Sequence, residues 1–522
     1  MALYVGFDSS TQGLTATVIE AGARERRVVF EEAIDFDTAF PSYGTSRGVH
    51  SDDGRTVTAP PVMWAEALDA MAMRLRASGL ELERVRAVSG SAQQHGSVYL
   101  NERAGRVLLS LDPSRPLASQ LEGVFTRPGS PVWLDCSTGL QCHDLAEALG
   151  GDRALATLTG SRAYERFTAA QIAKFAAQDP EAYAQTARIH LVSSFMASLL
   201  CGCDAPLEPG DGSGMNLMNI AAGTWAARAL EATAPDLSSR LPPIKTPWTV
   251  AGVLAPYWQR KLGCGPARVI TWTGDNPSSL VGLGLTSPGQ LGISLGTSDT
   301  VFAPTASPHP DPNGAGHVFG SPTGGFMALT CFANGSLARE RIRDAYCLDW
   351  DGFARHLSAT PPGNDGGLMV PWFVTEITPK AERLGPHRRN LDPADVARNV
   401  RAAVEGQAMS MRRYSEWFAP EVKTIRATGG AAVNRAILQV IADVFDAEVV
   451  RIAPPNAASL GAALRAFHAD LLADGQRLEW DEVVQGFADP IPAAGATPQS
   501  GAVAAYAALL PQYAAFVDSL TG

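Results

Sequence analysis

Two stretches of this chain, roughly 290 positions apart, follow one plan. Residues 4–18 read YVGFDSSTQGLTATV, and residues 290–303 read QLGISLGTSDTVFA. In the first, Val5 and Phe7, then Leu14, Ala16 and Val18, alternate as two strands with one buried face. Between them lies a polar loop of Asp8, Ser9, Ser10, Thr11, Gln12 and Gly13. In the second, a strand from Leu291 to Leu295 meets Gly296, Thr297, Ser298 and Asp299, then returns from Thr300 to Ala303, with Gly296 where Asp8 stands. Either stretch alone suits an ordinary β-hairpin, since Asp, Ser and Gly are favoured in turns. That reading comes first for either stretch alone, ahead of a loop whose hydroxyls and N–H groups wrap phosphates, with Asp8 orienting a hydrated metal ion. The repetition is the stronger constraint. It predicts two related domains facing one another, with one polyphosphate held between two hairpins and a metal-directing carboxylate on one side only.

A third element, IRATGGAAVNRAILQVIADVF, starts as a strand at Ile425 to Ala427 and passes through Gly429-Gly430-Ala431. It continues as a helix with Ile437, Leu438, Ile441 and Val444 at helical spacing. Adjacent glycines let a flat ring come close to the backbone, although a plain strand-to-helix connection reads the same way.

At 522 residues the chain exceeds one ordinary core, so two large domains are expected. A net charge of −11 argues against nucleic acid or an acidic membrane surface as partner, but not against ATP, which needs only a local grip. The seven cysteines are scattered without a repeated frame, which predicts reduced thiols and a cytoplasmic setting. Cys201 and Cys203 are the only close pair, and no second pair stands at a zinc-like interval. Met1 leads straight into strand residues, so no secretory signal is expected. Near the C-terminus, AVAAYAALLPQYAAFV is interrupted by Pro511 and Gln512 and predicts a terminal helix packed on a domain rather than a membrane span. Phe40 to Pro61 is turn-rich and reads as a surface excursion, and Pro304 to Gly316, with four prolines, reads as a loop.

The order hairpin, hairpin, Gly-Gly-helix resembles the sugar kinases of the FGGY family, which have the actin-like, or ribonuclease H-like, ATPase fold. The likeness runs from FDSSTQGLTA to NAASLGAALRAFHADL, through SGSAQQHGSVYL, SPVWLDCSTGLQC, TGSRAYERFTAAQIAKF, DGSGMNL, TWTGDNPSSL and SLGTSDTVF. It implies an α/β protein of two domains with mixed sheets flanked by helices and the catalytic cleft between them. Residues 1–282 would bind sugar and carry the first hairpin; residues 283–522 would carry the second hairpin and the adenosine site. The implied substrates are ATP with Mg²⁺ and D-xylulose, with ribulose or another polyol as the alternative, in a monomer or homodimer. A chaperone-type or filament-forming ATPase of the same fold would leave QQHG without a role.

Asp275-Asn276-Pro277, in TWTGDNPSSL, reads as a helix start with Asn276 as cap. A carboxylate beside a helix N-terminus is stabilised as an anion. By the resemblance, Asp275 is the catalytic base that accepts the proton of the attacking sugar hydroxyl. A carboxylate is a weak base for an alcohol, but in a loose phosphoryl-transfer transition state the proton leaves late and the carboxylate chiefly aims the hydroxyl. The resemblance also assigns sugar contacts to His95, Arg166 and Asn276; from the residues alone a lone histidine such as His95 is more often a satisfied core residue, and Arg162 is the alternative to Arg166. Asp135 occupies the acidic position of a family motif whose usual Gly-Arg ending is replaced by Cys136-Ser137-Thr138. For ATP the implied residues are Thr11 and Gly13 on one hairpin and Gly296 and Thr297 on the other. Gly430, Ala431 and Asn434 would face the adenosine, and Trp350 either packs on the base or is an ordinary buried aromatic. Asp8 would order the waters of Mg²⁺.

Overall fold

Each anticipated hairpin sits at the centre of a large mixed sheet. The computed structural model describes residues 1–22, 25–312, 314–452, 454 and 456–521. The strands of the first sheet are β1 (Ala2–Ser9), β2 (Gly13–Ala21), β3 (Arg26–Asp35), β4 (Val85–Ala92), β5 (Val250–Val253), β6 (Arg268–Ile270) and β7 (Thr273–Gly274). Their order is β5-β6-β4-β1-β2-β3, with β7 also pairing β4. The second sheet holds β8 (Gln290–Leu295), β9 (Asp299–Thr305), β10 (His317–Gly320), β11 (Phe326–Phe332), β12 (Thr424–Thr428) and β13 (Glu448–Arg451), in the order β10-β11-β9-β8-β12-β13.

The two plans coincide. In each sheet the first hairpin strand is antiparallel to its return strand, which is antiparallel to a third. Its other edge runs parallel to a later strand, itself parallel to the next. The echo in the sequence is therefore a repeat of a whole topology, and the protein consists of two α/β lobes with mixed sheets flanked by helices.

Alternation in β1 and β2 predicts one buried face; the structure buries both. Val5, Phe7, Leu14, Ala16 and Val18 pack against Met63, Trp64 and Leu68 of helix Pro61–Ala77. Tyr4 and Ile19, on the opposite face, meet Leu460, Ala463, Leu464 and Phe467 of helix Ala457–Ala473. That helix comes from the far end of the chain. A Cβ on Gly6 would lie 2.0 Å from the Ser459 carbonyl oxygen, so only glycine admits this approach. The Thr17 and Ser459 hydroxyls are 2.6 Å apart, and Tyr4 donates to Asp470 at 3.1 Å. Each large apolar side chain buried there contributes about 1.5–3 kcal/mol.

In the second lobe, Ile437, Leu438, Ile441 and Val444 are buried, as their spacing predicts, against Leu291, Ile293 and Leu295 of β8. The terminal helix Ser500–Thr521 buries Tyr506, Leu509, Tyr513, Phe516 and Val517 against the same core. By length and composition it is also the one helix among the described residues apolar enough to cross a membrane. Tyr506 donates to Glu405 and accepts from Arg401, both at 2.7 Å, which satisfies a buried polar group where the helix docks. The excursion from Phe40 to Pro61 is half exposed, and it is anchored: Gly48, at φ 77°, leaves no room for a Cβ against the Thr11 carbonyl oxygen.

Candidate active site

Sheet register brings two acids together. Asp8 of β1 pairs with Ser91 of β4, and β7 lies beside the same Ser91 through Thr273. Asp275 follows β7 directly, as the first residue of helix Asp275–Gly282. The cap of that helix is Gly274, not Asn276 as its sequence suggests, because β7 carries extended backbone through Gly274. Asn276 is thus inside the first turn, and its side-chain amide donates to Asp275 and to Gln94, each at 3.0 Å. Ser91 donates to Asp8 at 2.7 Å. Burial first, then the charge of Asp275, pushes the Asp8 carboxyl up to about 7, against the Ser91 hydrogen bond. Burial pushes Asp275 up to about 6, opposed by the backbone and side-chain N–H groups of Asn276. Below them lies a buried polar layer with no flag in the sequence. Glu208 accepts from the Gly210 and Asp211 N–H groups at 2.9 and 3.0 Å and from the Thr273 hydroxyl. The buried Arg465 donates to the carbonyls of Gly90, Pro247 and Thr271.

His95 has a left-handed backbone, φ 72°, and a buried ring stacked on Phe167 with centroids 4.2 Å apart. Its Nδ1 is 2.7 Å from the Gly214 carbonyl oxygen, which only accepts; the proton is therefore on Nδ1, and Nε2 is left as an acceptor. Burial, and next the Arg166 charge, lowers its pKa to about 3, so the ring is neutral. The Arg166 guanidinium lies over Tyr164 at 4.7 Å and Phe167 at 5.7 Å, and donates from Nη2 to Nε2 of His317 at 3.0 Å. Arg162 also covers the Tyr164 ring, but it is the charge of Arg166 that bears on His95. His317 belongs to β10 of the other lobe and was not anticipated from sequence. Asp135 is buried and occupied: one oxygen accepts from the Ser137 N–H at 2.9 Å and Gln171 at 2.7 Å, the other from the Val57 N–H at 2.9 Å. It ties the excursion to the helix Thr168–Gln178.

On the first hairpin, Thr11 accepts from the half-exposed Trp133 at 2.7 Å, and Gly13 leaves no room for a Cβ against the Ile34 carbonyl of β3. On the second, the Gly296 carbonyl accepts from Ser336 N–H at 2.8 Å, and Thr297 is exposed. Asp299 is locked in a buried bidentate pair with Arg339 at 2.8 and 2.9 Å, so this lobe has no counterpart of Asp8 among its hairpin residues. Gly429, at φ 91°, leaves no room for a Cβ against the Leu295 carbonyl oxygen, which seats the exposed Gly429-Gly430 pair on the end of β8. The glycines do not run straight into the helix. Gly430–Val433 forms a 3-10 turn, and Asn434 caps Arg435–Phe445 by accepting from the Ala436 and Ile437 N–H groups at 3.0 and 3.3 Å. Trp350 is not a buried aromatic: it is 42% exposed at the start of helix Trp350–Ala359, with the Arg343 guanidinium 4.5 Å above its ring.

Among the described residues no cluster of three or more His, Cys, Asp or Glu forms a metal cage. The Cys201 and Cys203 sulfurs are 3.5 Å apart. The Asp8 side chain fits a hydrated Mg²⁺ instead. Mg²⁺ keeps most of its waters and takes one or two carboxylates, and Asp8 is a buried acid beside another acid, with no cationic side chain bearing on it among the described residues.

Residues 130–282 match the N-terminal domain, and residues 291–469 the C-terminal domain, of the FGGY family of carbohydrate kinases. The chain is 44% identical over 527 residues to a xylulose kinase of Rattus norvegicus, covering 98% of this chain and 95% of the relative. It is 42% identical over 494 residues to xylulose kinase 2 of Arabidopsis thaliana, covering 90% and 87%. A ligand-bound xylulose kinase from Lactobacillus acidophilus superposes with a TM-score of 0.83 at 17% identity, over 100% of this chain and 98% of that one. A Plasmodium falciparum glycerol kinase with ADP superposes at 0.80 and 14% identity, over the same shares. At these identities the superpositions speak for the fold alone.

Proposed function

Because the chain belongs to the FGGY family of carbohydrate kinases, we propose that it transfers the γ-phosphoryl group of ATP to the 5-hydroxyl of D-xylulose, giving D-xylulose 5-phosphate and ADP. The observation that carries this reading is Asp275, at a helix N-terminus beside Asp8 of the first hairpin, with a pKa raised by burial to about 6. A carboxylate tuned upward is a better proton acceptor at neutral pH than an exposed one, and it stays mostly ionised there.

Asp275 accepts a hydrogen bond from the 5-hydroxyl, aims its oxygen at the γ-phosphorus, and takes the proton as the P–O bond forms. The sugar lies against His95, Arg166 and Asn276. His95 offers Nε2 as an acceptor for a sugar hydroxyl, Arg166 offers donors, and Asn276, whose amide hydrogens are spent on Asp275 and Gln94, offers its Oδ1 as an acceptor. The phosphates lie against Thr11 and Gly13 on one hairpin and Gly296 and Thr297 on the other; Gly430, Ala431 and Asn434 border the adenosine, and Trp350, being exposed, is free to meet the base. Asp8 would hold Mg²⁺, which when bound would neutralise charge on the phosphates. Lobes divided near residue 282, a cytoplasmic setting in keeping with seven unpaired cysteines, and a monomer or homodimer complete the reading.

The alternative is a sister kinase acting on ribulose or another polyol, and only the sugar pocket separates the two. ADP release measured across D-xylulose, D-ribulose, L-ribulose and glycerol decides between them. A pocket built for one arrangement of hydroxyls leaves its own polar groups unpaired when one centre is inverted, at about 1–3 kcal/mol per group. D-xylulose should lead its epimer in kcat/KM by roughly ten- to hundredfold, and glycerol should be worst. D-ribulose or glycerol outrunning D-xylulose would favour the sister kinase.

A further inference from the structure

Arg166 makes one hydrogen bond with its guanidinium among the described residues, and the acceptor is a histidine of the opposite lobe. Guanidinium nitrogens only donate, so Nε2 of His317 carries no proton and accepts at 3.0 Å. The proton of that imidazole is on Nδ1, which donates to the Ser161 hydroxyl at 3.0 Å. Burial, then the charge of Arg166, holds the ring far below the usual histidine range, so it is neutral. Its orientation is fixed on every side: the Phe319 ring stacks at 5.6 Å and 13°, and Tyr164 is tilted against it at 4.8 Å. The strand beneath is fixed too. Val318 N–H donates to the Gly160 carbonyl at 2.9 Å, and Gly320 N–H to the Ser213 hydroxyl at 3.1 Å, so β10 is fastened to the sugar lobe at two points directly after the histidine.

A carboxylate in this position would hold the guanidinium and neutralise it. A neutral imidazole holds it and leaves its charge, and the other donors of the five-donor fork, for a ligand. We propose that His317 is a positioning residue for the sugar site, acting through Arg166 from the lobe that carries the second hairpin. The inference rests on the sugar-kinase reading above and names a residue that reading does not use. It predicts that the sugar site cannot be completed by the first lobe alone.

Two near-isosteric replacements separate the two hydrogen bonds of the ring. His317→Gln keeps an acceptor near the Nε2 position for Arg166; His317→Asn keeps a partner near Nδ1 for Ser161 and loses the acceptor. Sugar and ATP are varied separately in steady-state assays on wild type, both variants, Arg166→Ala, and Arg166→Ala combined with His317→Asn. The Asn variant should raise the sugar KM by roughly tenfold or more while the ATP KM stays within about twofold, as expected for loss of one hydrogen bond to a charged group. The Gln variant should stay within about threefold of wild type. In the Arg166→Ala background, His317→Asn should cost almost nothing further, because its effect passes through Arg166. Equal losses with Gln and Asn, a matching rise in the ATP KM, or an undiminished cost in the Arg166→Ala background would overturn the proposal and leave His317 a packing residue. Wild type active on D-xylulose with all variants unaffected sinks this inference alone; wild type inactive on every sugar sinks the parent reading and this one with it.

Discussion

Gly461 lies so close to Ser278 that a Cβ on the glycine would stand 1.9 Å from the serine carbonyl oxygen. The approach is mutual, since a Cβ on Gly282 would stand 1.9 Å from the Ala457 carbonyl oxygen. Ser278 also donates to the Ala458 carbonyl at 2.7 Å. The short helix that begins at Asp275 is therefore seated backbone to backbone on a helix from the far end of the chain.

Gly461→Ala should shift that seat. Overpacking of this kind costs about 1–3 kcal/mol, and moving the Asp275 helix should lower kcat more than it raises the ATP KM. Thermal melts and kinetics check it against Gly501→Ala, a helical position with open space around it, which should be neutral or stabilising by up to about 1 kcal/mol.

Asp275→Asn removes the proton acceptor and keeps the volume. Turnover should fall roughly 10²–10⁴-fold while nucleotide and sugar still bind by calorimetry. More than about a tenth of the wild-type rate would remove the base assignment.

Activity should fall on the acid side of neutrality. Burial raises the Asp275 pKa to about 6, and the base works only when ionised, so kcat/KM should drop about tenfold per pH unit below about 6. An acid limb near the ordinary carboxylate value, about 4, would contradict this.

Asp8 should destabilise the ligand-free protein at high pH. Its folded pKa of about 7 lies above the ordinary aspartate value of 3.8, so its favourable contribution is complete below about 3.8 and is lost as pH rises through 7. Asp8→Asn should therefore raise stability at pH 8 by on the order of 2–4 kcal/mol, and by less at pH 5. The same variant should impair use of Mg·ATP far more than sugar affinity, and collapse of sugar affinity alone would assign Asp8 elsewhere.

What was legible beforehand was local. Turn chemistry at Asp8–Gly13 and Gly296–Asp299, strand alternation beside it, and the spacing of Ile437, Leu438, Ile441 and Val444 all belong to short windows, and they led to the repeated sheet. Long-range pairing was not legible. Nothing near Tyr4 or Gly6 announces a helix some 450 residues away, and helix Ala457–Ala473, buried on nearly all sides, lacks the polar stripe that would orient it. The cap was misread because Asn outranks Gly as a cap, whereas here strand pairing of Gly274 with Ala92 decides where the helix begins. His317 reads in HVFG as a lone polar residue in an apolar strand; its meaning depends on Arg166 across the lobe boundary.

Helix Ala457–Ala473 closes one face of a sheet whose central strands lie within the first 92 residues. Ala473 is made roughly 380 residues after Ala92, so at about 5–20 residues per second the nascent first sheet waits roughly 20–80 s for its cover. During synthesis, Tyr4, Ile19 and Ala87 remain bare to chaperones or to neighbouring nascent chains until nearly the whole message has been read.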